Sequence, residues 1–319
     1  LKDLGIEGRK RVIEIVKETC MANAEPWGKF ELDETKIGRL DHKIEKLQIV
    51  GHVPGVEWLT PNAMSGDNGI TLEEFAPFGV IGAILPVTHS VPTLTGNVIS
   101  MVAAGNAIVF NPHPGGAKSA VMATRAYNQA IERELGIDNL ICTIEEPTIE
   151  TFEKICKNEN ITLMAITGGP AVVDAAMKSG KRSVCAGPGN PVVVVDESAN
   201  LDKAAINIIA GAAFDNNLLC IGEKSVFVVD SVFEPFMQAM ERAGATRLNA
   251  NQVDSLTNIA FDISTGAGGC AQAALNRDLI GVDAAILAGH AGISSPAKTD
   301  LVFGETDADH PFVQKEQMM

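Results

Sequence analysis

Residues Phe214 to Lys224 read Phe-Asp-Asn-Asn-Leu-Leu-Cys-Ile-Gly-Glu-Lys, which sets one cysteine between an Asn pair and an acidic-basic pair just after a helix-like segment. A thiolate in such a polar setting attacks electrophilic carbon, so Cys220 is the first candidate for a catalytic nucleophile. Free cysteine is also among the most buried residue types, and Leu218, Leu219 and Ile221 flank this one. An inert core thiol therefore competes on equal terms. The remaining cysteines, Cys20, Cys142, Cys156, Cys185 and Cys270, show no CxxC spacing. That pattern indicates neither a zinc site nor a disulfide framework and fits a reducing cytosol.

Three other segments could carry chemistry. Pro86-Val87-Thr88-His89-Ser90-Val91-Pro92 ends an apolar run with hydroxyls and an imidazole that could polarise a carbonyl. By itself, capping of the helix that begins near Pro92 by Thr88 or Ser90 is the better reading. Asn111-Pro112-His113-Pro114 follows another apolar run and reads either as a rigid connection or as a ligand-contacting loop, with His113 touching a nucleotide or capping the turn. Thr167-Gly168-Gly169-Pro170 joins a buried run to a helix, and free amides at such a helix start attract phosphate. Gly-Gly turns are common, and no GxGxxG fingerprint accompanies this one.

The elements that must position these residues are legible as patterns. Val12, Ile13, Ile15, Val16 and then Ile37, Leu40, Ile44 and Leu47 recur at helical spacing, which predicts amphipathic helices over the first 47 residues. Residues 51–78 break into Gly, Pro, Asn and Asp clusters around short extended pieces and predict a hairpin or a linker. From Gly79 onward, apolar runs at 79–87, 107–110, 140–144 and 161–166 alternate with helical segments at 94–104, 117–135, 149–157 and 171–179. This is βαβ punctuation and predicts an α/β fold with a helix-covered parallel sheet, closed by a strand at Val192 to Val195. A second α/β layer follows, with helices at 201–213, 233–243 and 278–291, a strand at 225–229, and a surface loop from Thr265 to Ala274.

A chain of 319 residues with 46% hydrophobic and 20% charged residues suits about two soluble domains. The net charge of -15 argues against nucleic acid as a partner. No apolar run reaches the ~18 residues of a membrane helix, and the charged first residues are unlike a signal peptide. The sequence begins at Leu1 and stops after Gln317-Met318-Met319, and it is expected to be a piece of a longer chain.

The order of motifs resembles the aldehyde dehydrogenase superfamily: Gly79-Val80-Ile81-Gly82 to Pro86, Ala104-Gly105-Asn106, Thr167-Gly168-Gly169, Ala186-Gly187-Pro188-Gly189-Asn190-Pro191, and the cysteine segment ending Glu223-Lys224. Through Thr88-His89-Ser90, Phe110 to Pro114 and Asp215-Asn216-Asn217 it is similar to the coenzyme A-acylating aldehyde dehydrogenases of propanediol and ethanolamine utilisation. The resemblance runs along nearly the whole chain. It implies an aldehyde dehydrogenase-like α/β fold: a Rossmann-like NAD-binding domain over 1–200, with 51–78 as an oligomerisation hairpin, and a C-terminally truncated catalytic domain over 201–319.

The resemblance further implies Cys220 as nucleophile, with its own amide and Thr88 or His89 serving the oxyanion. It implies Pro86, Asn111, Pro112, His113, Thr167, Gly168, Gly169, Gly187 and Glu316 as cofactor-binding residues. In hydrolytic relatives a Glu before two glycines activates water. Here Cys185 stands at that position, and Ser183 to Pro191 contains no carboxylate. Water attack on a Cys220 thioester should then be slow and coenzyme A the acceptor. The expected reaction converts propanal, or else acetaldehyde, to acyl-CoA. Expected partners are the aldehyde, CoA, further copies in a dimer or tetramer, and a bacterial microcompartment shell, with no metal, nucleic acid or membrane. A hydrolytic enzyme and a silent nucleotide-binding homologue are the alternatives. Cys185 reads first as a buried spectator and second as a thiol that traps oxidised Cys220.

Overall fold

The structure, a computed structural model, describes residues 1–265, 271–293 and 299–319. The chain divides into two compact units, one of Leu1–Lys36 with Leu40–Gly187, the other of Ile37–Arg39 with Pro188–Met319.

The first unit opens with helices α1 (Gly5–Ala22), α2 (Ala24–Thr35) and α3 (Leu40–Gln48), as the helical spacing predicts. The predicted hairpin follows as antiparallel strands β1 (Asn62–Gly66) and β2 (Gly69–Glu73), exposed along their whole length. Strands then alternate with helices: β3 (Val80–Leu85), α4 (Ser90–Ala103), β4 (Ala107–Pro112), α5 (Ala117–Leu135), β5 (Ile141–Thr143), α6 (Ile149–Lys157), β6 (Ile161–Thr167), α7 (Pro170–Lys178) and β7 (Arg182–Ala186). They form one parallel sheet in the order β5-β4-β3-β6-β7.

Side chains of a strand alternate between faces, and β3 shows what each face buries. Ala83 and Leu85 join Val12, Val16, Leu94, Val98 and Tyr127 from α1, α4 and α5, whereas Ile84 joins Ile155, Met164 and Ala176 from the α6 and α7 side. Gly82 must lack a side chain, since a Cβ there would lie 2.6 Å from Ile155 Cγ2.

The second unit contains β8 (Val192–Val195), α8 (Leu201–Ala212), β9 (Ser225–Val228), α9 (Phe233–Arg242), β10 (Thr246–Leu248), α10 (Ala250–Ala260), β11 (Phe261–Thr265), β12 (Ala271–Leu275), α11 (Ala284–His290), β13 (Val302–Gly304) and α12 (Pro311–Gln314). Parallel pairs β8-β9 and β10-β13 carry separate cores, the first against α8 and α9 through Val195, Ile208 and Phe236, the second against α10 and α11 through Leu248, Leu256 and Leu287.

Three expectations need correction. The strand at Val192 to Val195 does not close the first sheet: it pairs with β9, and the sheet ends instead at β7. An apolar run signals a strand but not its partner, and β7, with its exposed Arg182, lacks such a run. The loop expected from Thr265 to Ala274 is flanked by the antiparallel pair β11-β12, with residues 266–270 outside the described residues. The helix expected over 278–291 is a turn at Arg277–Leu279 followed by the shorter α11, separated by Gly281 in a left-handed conformation (φ 67°).

Candidate active site

In the first unit the chain runs outward from β3 through β4 to β5, then crosses back to β6 and β7 on the other side of β3. Such a reversal is a topological switch point, where loops leaving the carboxyl ends of adjacent strands diverge and open a crevice for a ligand. The loops at this crevice are Pro86 to His89 after β3 and Gly168 to Gly169 after β6. Asn111, Pro112 and His113 at the end of β4, Thr167 at the end of β6 and Gly187 after β7 lie on the same edge.

Several of these residues have local partners. Buried Asn111 accepts a hydrogen bond through Oδ1 from Thr151 Oγ1 at 2.6 Å, tying β4 to the start of α6. His113 Nδ1 accepts from the Gly115 amide at 3.0 Å, so this imidazole caps its turn. The Gly168 amide donates to the Ala186 carbonyl at 3.1 Å. Gly169 is the N-cap of α7 and supplies no side-chain cap, with Pro170 in the first turn. A Cβ at Gly169 would meet nothing within 4 Å. The fold itself therefore does not demand glycine there, whereas a ligand approaching first-turn amides would.

The loop after β3 departs from the capping expected of Thr88 or Ser90. Neither hydroxyl caps α4; the Glu31 carboxylate of α2 accepts from the Ser90 and Val91 amides at 3.3 and 3.4 Å instead. Ser90 Oγ donates to the Gly116 carbonyl at 3.0 Å. A carboxylate 59 residues away outcompetes the local hydroxyls because its charge also complements the helix dipole. Glu31 is 1% exposed and lies 3.6 Å from the equally buried Lys43 Nζ, while Lys46 Nζ donates to the Thr88 carbonyl at 3.5 Å. His89 sits beside these lysines. Its Nδ1 is buried without a hydrogen-bond partner among the described residues, and burial, then Lys46 and Lys43, hold the imidazole well below its ordinary pKa.

The nucleophile candidate belongs to the second unit. Asp215, Asn216 and Asn217 form a left-handed turn (φ 51°, 56° and 61°), a conformation that Asp and Asn tolerate best after glycine. Each side chain of the turn is bonded. Asp215 Oδ1 accepts from the Arg39 amide at 2.8 Å, Asn216 Nδ2 donates to the Gly281 carbonyl at 2.8 Å, and Asn217 Nδ2 donates to the Met319 carbonyl at 3.0 Å. The turn buries Leu218 to 2% exposure and delivers Cys220 to the surface with Ile221 79% exposed. The inert core thiol is thereby excluded.

Around Cys220 the same unit gathers Gly189, Lys224 and Glu316. A Cβ on Gly189 would stand 3.5 Å from the Cys220 carbonyl oxygen. The Glu316 carboxyl is half-buried; burial pushes its pKa up, against the Gly189 amide that donates to it and the attraction of Lys224. The Lys224 ammonium is pushed down to about 8 by burial, with the attraction of Glu316 and Cys220 opposing. An exposed thiol is accessible to an electrophilic carbonyl. Sequence reasoning passed over Lys224, as well as Asn190 and Gln317, which bond each other. The available signal for Lys224 was a lone cation four residues after the thiol, at the start of a strand. Cys185 is a half-buried thiol of β7 packed against the core on the α6 and α7 side of the sheet.

Comparison with known proteins places these features in context. A family model described as Aldehyde dehydrogenase family matches residues 41–260. The chain is 42% identical over 314 residues to an acetylating acetaldehyde dehydrogenase of Salmonella typhimurium, covering 98% of this chain and 66% of that protein. It is 39% identical to a CoA-propanoylating propanal dehydrogenase of Citrobacter freundii, with 98% and 67% covered. The chain thus spans about two thirds of the length of these curated relatives. Among solved structures it superimposes with a TM-score of 0.89 on a propionaldehyde dehydrogenase from the Clostridium phytofermentans fucose utilisation microcompartment, at 39% identity over 99% of this chain and 71% of that one. A Rhodopseudomonas palustris propionaldehyde dehydrogenase with bound propionyl-CoA matches with a TM-score of 0.87, at 36% identity over 99% of this chain and 69% of that one. With the family match covering more than half of the chain and these identities spanning nearly all of it, this protein belongs to the aldehyde dehydrogenase family.

Proposed function

We propose that this protein oxidises a short aliphatic aldehyde, propanal or acetaldehyde, to the corresponding acyl-CoA. The observation that carries the reading is the exposed Cys220 thiol, in a chain with no carboxylate in Ser183 to Pro191 to activate water. Acetylating and propanoylating relatives support it, as does the related structure that holds propionyl-CoA.

The Cys220 thiolate attacks the aldehyde carbon and forms a thiohemiacetal oxyanion. The Cys220 backbone amide and Thr88 or His89 are assigned to that charge by family resemblance. The residues at the switch point fit a dinucleotide: Gly168 and Gly169 carry no side chains, and α7 begins without a side-chain cap. Pro86, Thr167, Gly168, Gly169, Gly187 and the loop Asn111 to His113 would hold NAD, with Glu316 as the candidate for its ribose. NAD, when bound, supplies the hydride acceptor as the carbonyl re-forms to a Cys220 thioester. The CoA thiol then takes the acyl group and returns Cys220 as a thiolate.

Production of NADH from propanal by the full-length protein, with and without CoA, tests this proposal. Turnover is expected to require CoA and to fall by at least about a thousandfold in Cys220→Ala, the scale of losing a covalent nucleophile. Equal turnover without CoA, releasing free acid, would establish the hydrolytic alternative; binding of NAD without turnover would establish a silent homologue.

The exposed β1-β2 hairpin, with Ile70 79% and Leu72 61% exposed, supports assembly into a homo-oligomer, a dimer or tetramer. A microcompartment setting rests on the context of the Clostridium phytofermentans relative.

A further inference from the structure

One ammonium in the second unit ties together two segments that the sequence separates by more than ninety residues. Lys224 Nζ donates to the Asn217 carbonyl at 2.6 Å, to Asn217 Oδ1 at 2.7 Å, and to the Gln317 carbonyl. A lysine ammonium has three donors, and all of them are used here. The contact is returned, because Gln317 Nε2 donates to the Lys224 carbonyl at 3.1 Å. Asn217 belongs to the left-handed turn that presents Cys220, and Gln317 adjoins Glu316. A third segment joins the same knot: the Gln317 amide donates to Asn190 Oδ1 at 2.9 Å, and Asn190 Nδ2 donates to the Lys315 carbonyl at 2.6 Å.

We propose that Lys224 is a positioning residue that locks the Cys220 turn to the Glu316 segment. The assignment deepens the acylating aldehyde dehydrogenase reading, because that reading requires Cys220 and Glu316 to act on the same substrate-cofactor pair. Two features favour it over a lysine that merely begins a strand. All three of its donors go to Asn217 and Gln317, which belong to the two segments to be joined. The ammonium is also half-buried, and burial, opposed by the attraction of Glu316, pushes its pKa down to about 8.

The test measures order directly in the full-length protein, so that it stands even if the proposed turnover fails. Hydrogen exchange at the Gln317 amide should accelerate by about tenfold in Lys224→Met, with the melting temperature within a few degrees of wild type. A wild-type exchange rate in Lys224→Met would overturn the proposal. If Lys224→Met does not fold, the wild-type protein decides. Gln317 exchange corrected for its intrinsic pH dependence should rise above pH 8, as the Lys224 ammonium loses its proton, and a flat corrected profile would overturn the assignment.

Discussion

Cys220 and His89 show how little a residue's type says about its state. Cys220 has apolar neighbours on both sides, yet three consecutive left-handed residues turn it outward, and each is bonded to a backbone group. His89 looks like an available acid or base, but burial beside Lys46 and Lys43 keeps its imidazole neutral well below the usual range. The consequence for stability has a definite sign. The unfolded chain takes up a proton on this histidine near pH 6.5, whereas the folded chain does so only at lower pH, so stability is lost as pH falls below about 6.5. Between pH 7 and pH 5 the wild type should therefore lose up to about 2 kcal/mol more than His89→Gln in urea denaturation. An equal loss in the two proteins would mean that His89 titrates freely.

At the scale of elements, the loop after β3 is shaped by a helix far from it in sequence. Glu31 on α2 caps α4 and pairs with Lys43 on α3, with both side chains 1% exposed. Removing the Glu31 charge takes from buried Lys43 a carboxylate at 3.6 Å and from the start of α4 its charged cap. Glu31→Gln should therefore destabilise the protein by about 3–5 kcal/mol, read as a fall in the urea midpoint at constant slope. A change under about 1 kcal/mol would show that the Lys43 charge is satisfied without Glu31. The helices up to α9 and the strands β3 to β6, β8 and β9 were legible because they show a period of 3.6 or a short apolar run, whereas α10, α12 and β10 to β13 were not read from the sequence. β7 was not, since an edge strand with alternating exposed residues lacks that run. The Glu31 cap was not legible either, since a carboxylate 59 residues from the amides it binds leaves no local signature.

For the whole molecule, composition limits partners more firmly than it identifies them. A net charge of -15 opposes association with nucleic acid, and no described helix is long and apolar enough to cross a membrane. The β1-β2 hairpin is the element most in need of a partner, as an isolated two-stranded hairpin is marginally stable in water. Ile70→Asp with Leu72→Asp in the full-length protein should lower the mass measured by light scattering to that of a smaller species, because buried charge at an interface is costly. An unchanged mass would remove the hairpin from the assembly.

Residue order alone was enough for the class of fold and the turn at Gly168-Gly169, because both are written in local spacing, and the family resemblance singled out Cys220 as the candidate and the missing carboxylate near Cys185. Three matters required the tertiary structure: the outward direction of the Cys220 thiol, the neutral state of His89, and the use of one lysine to join residues 217 and 317. All three depend on which groups share a low-dielectric neighbourhood, and that is settled by contacts between segments distant in sequence, where neither propensity nor periodicity has any reach.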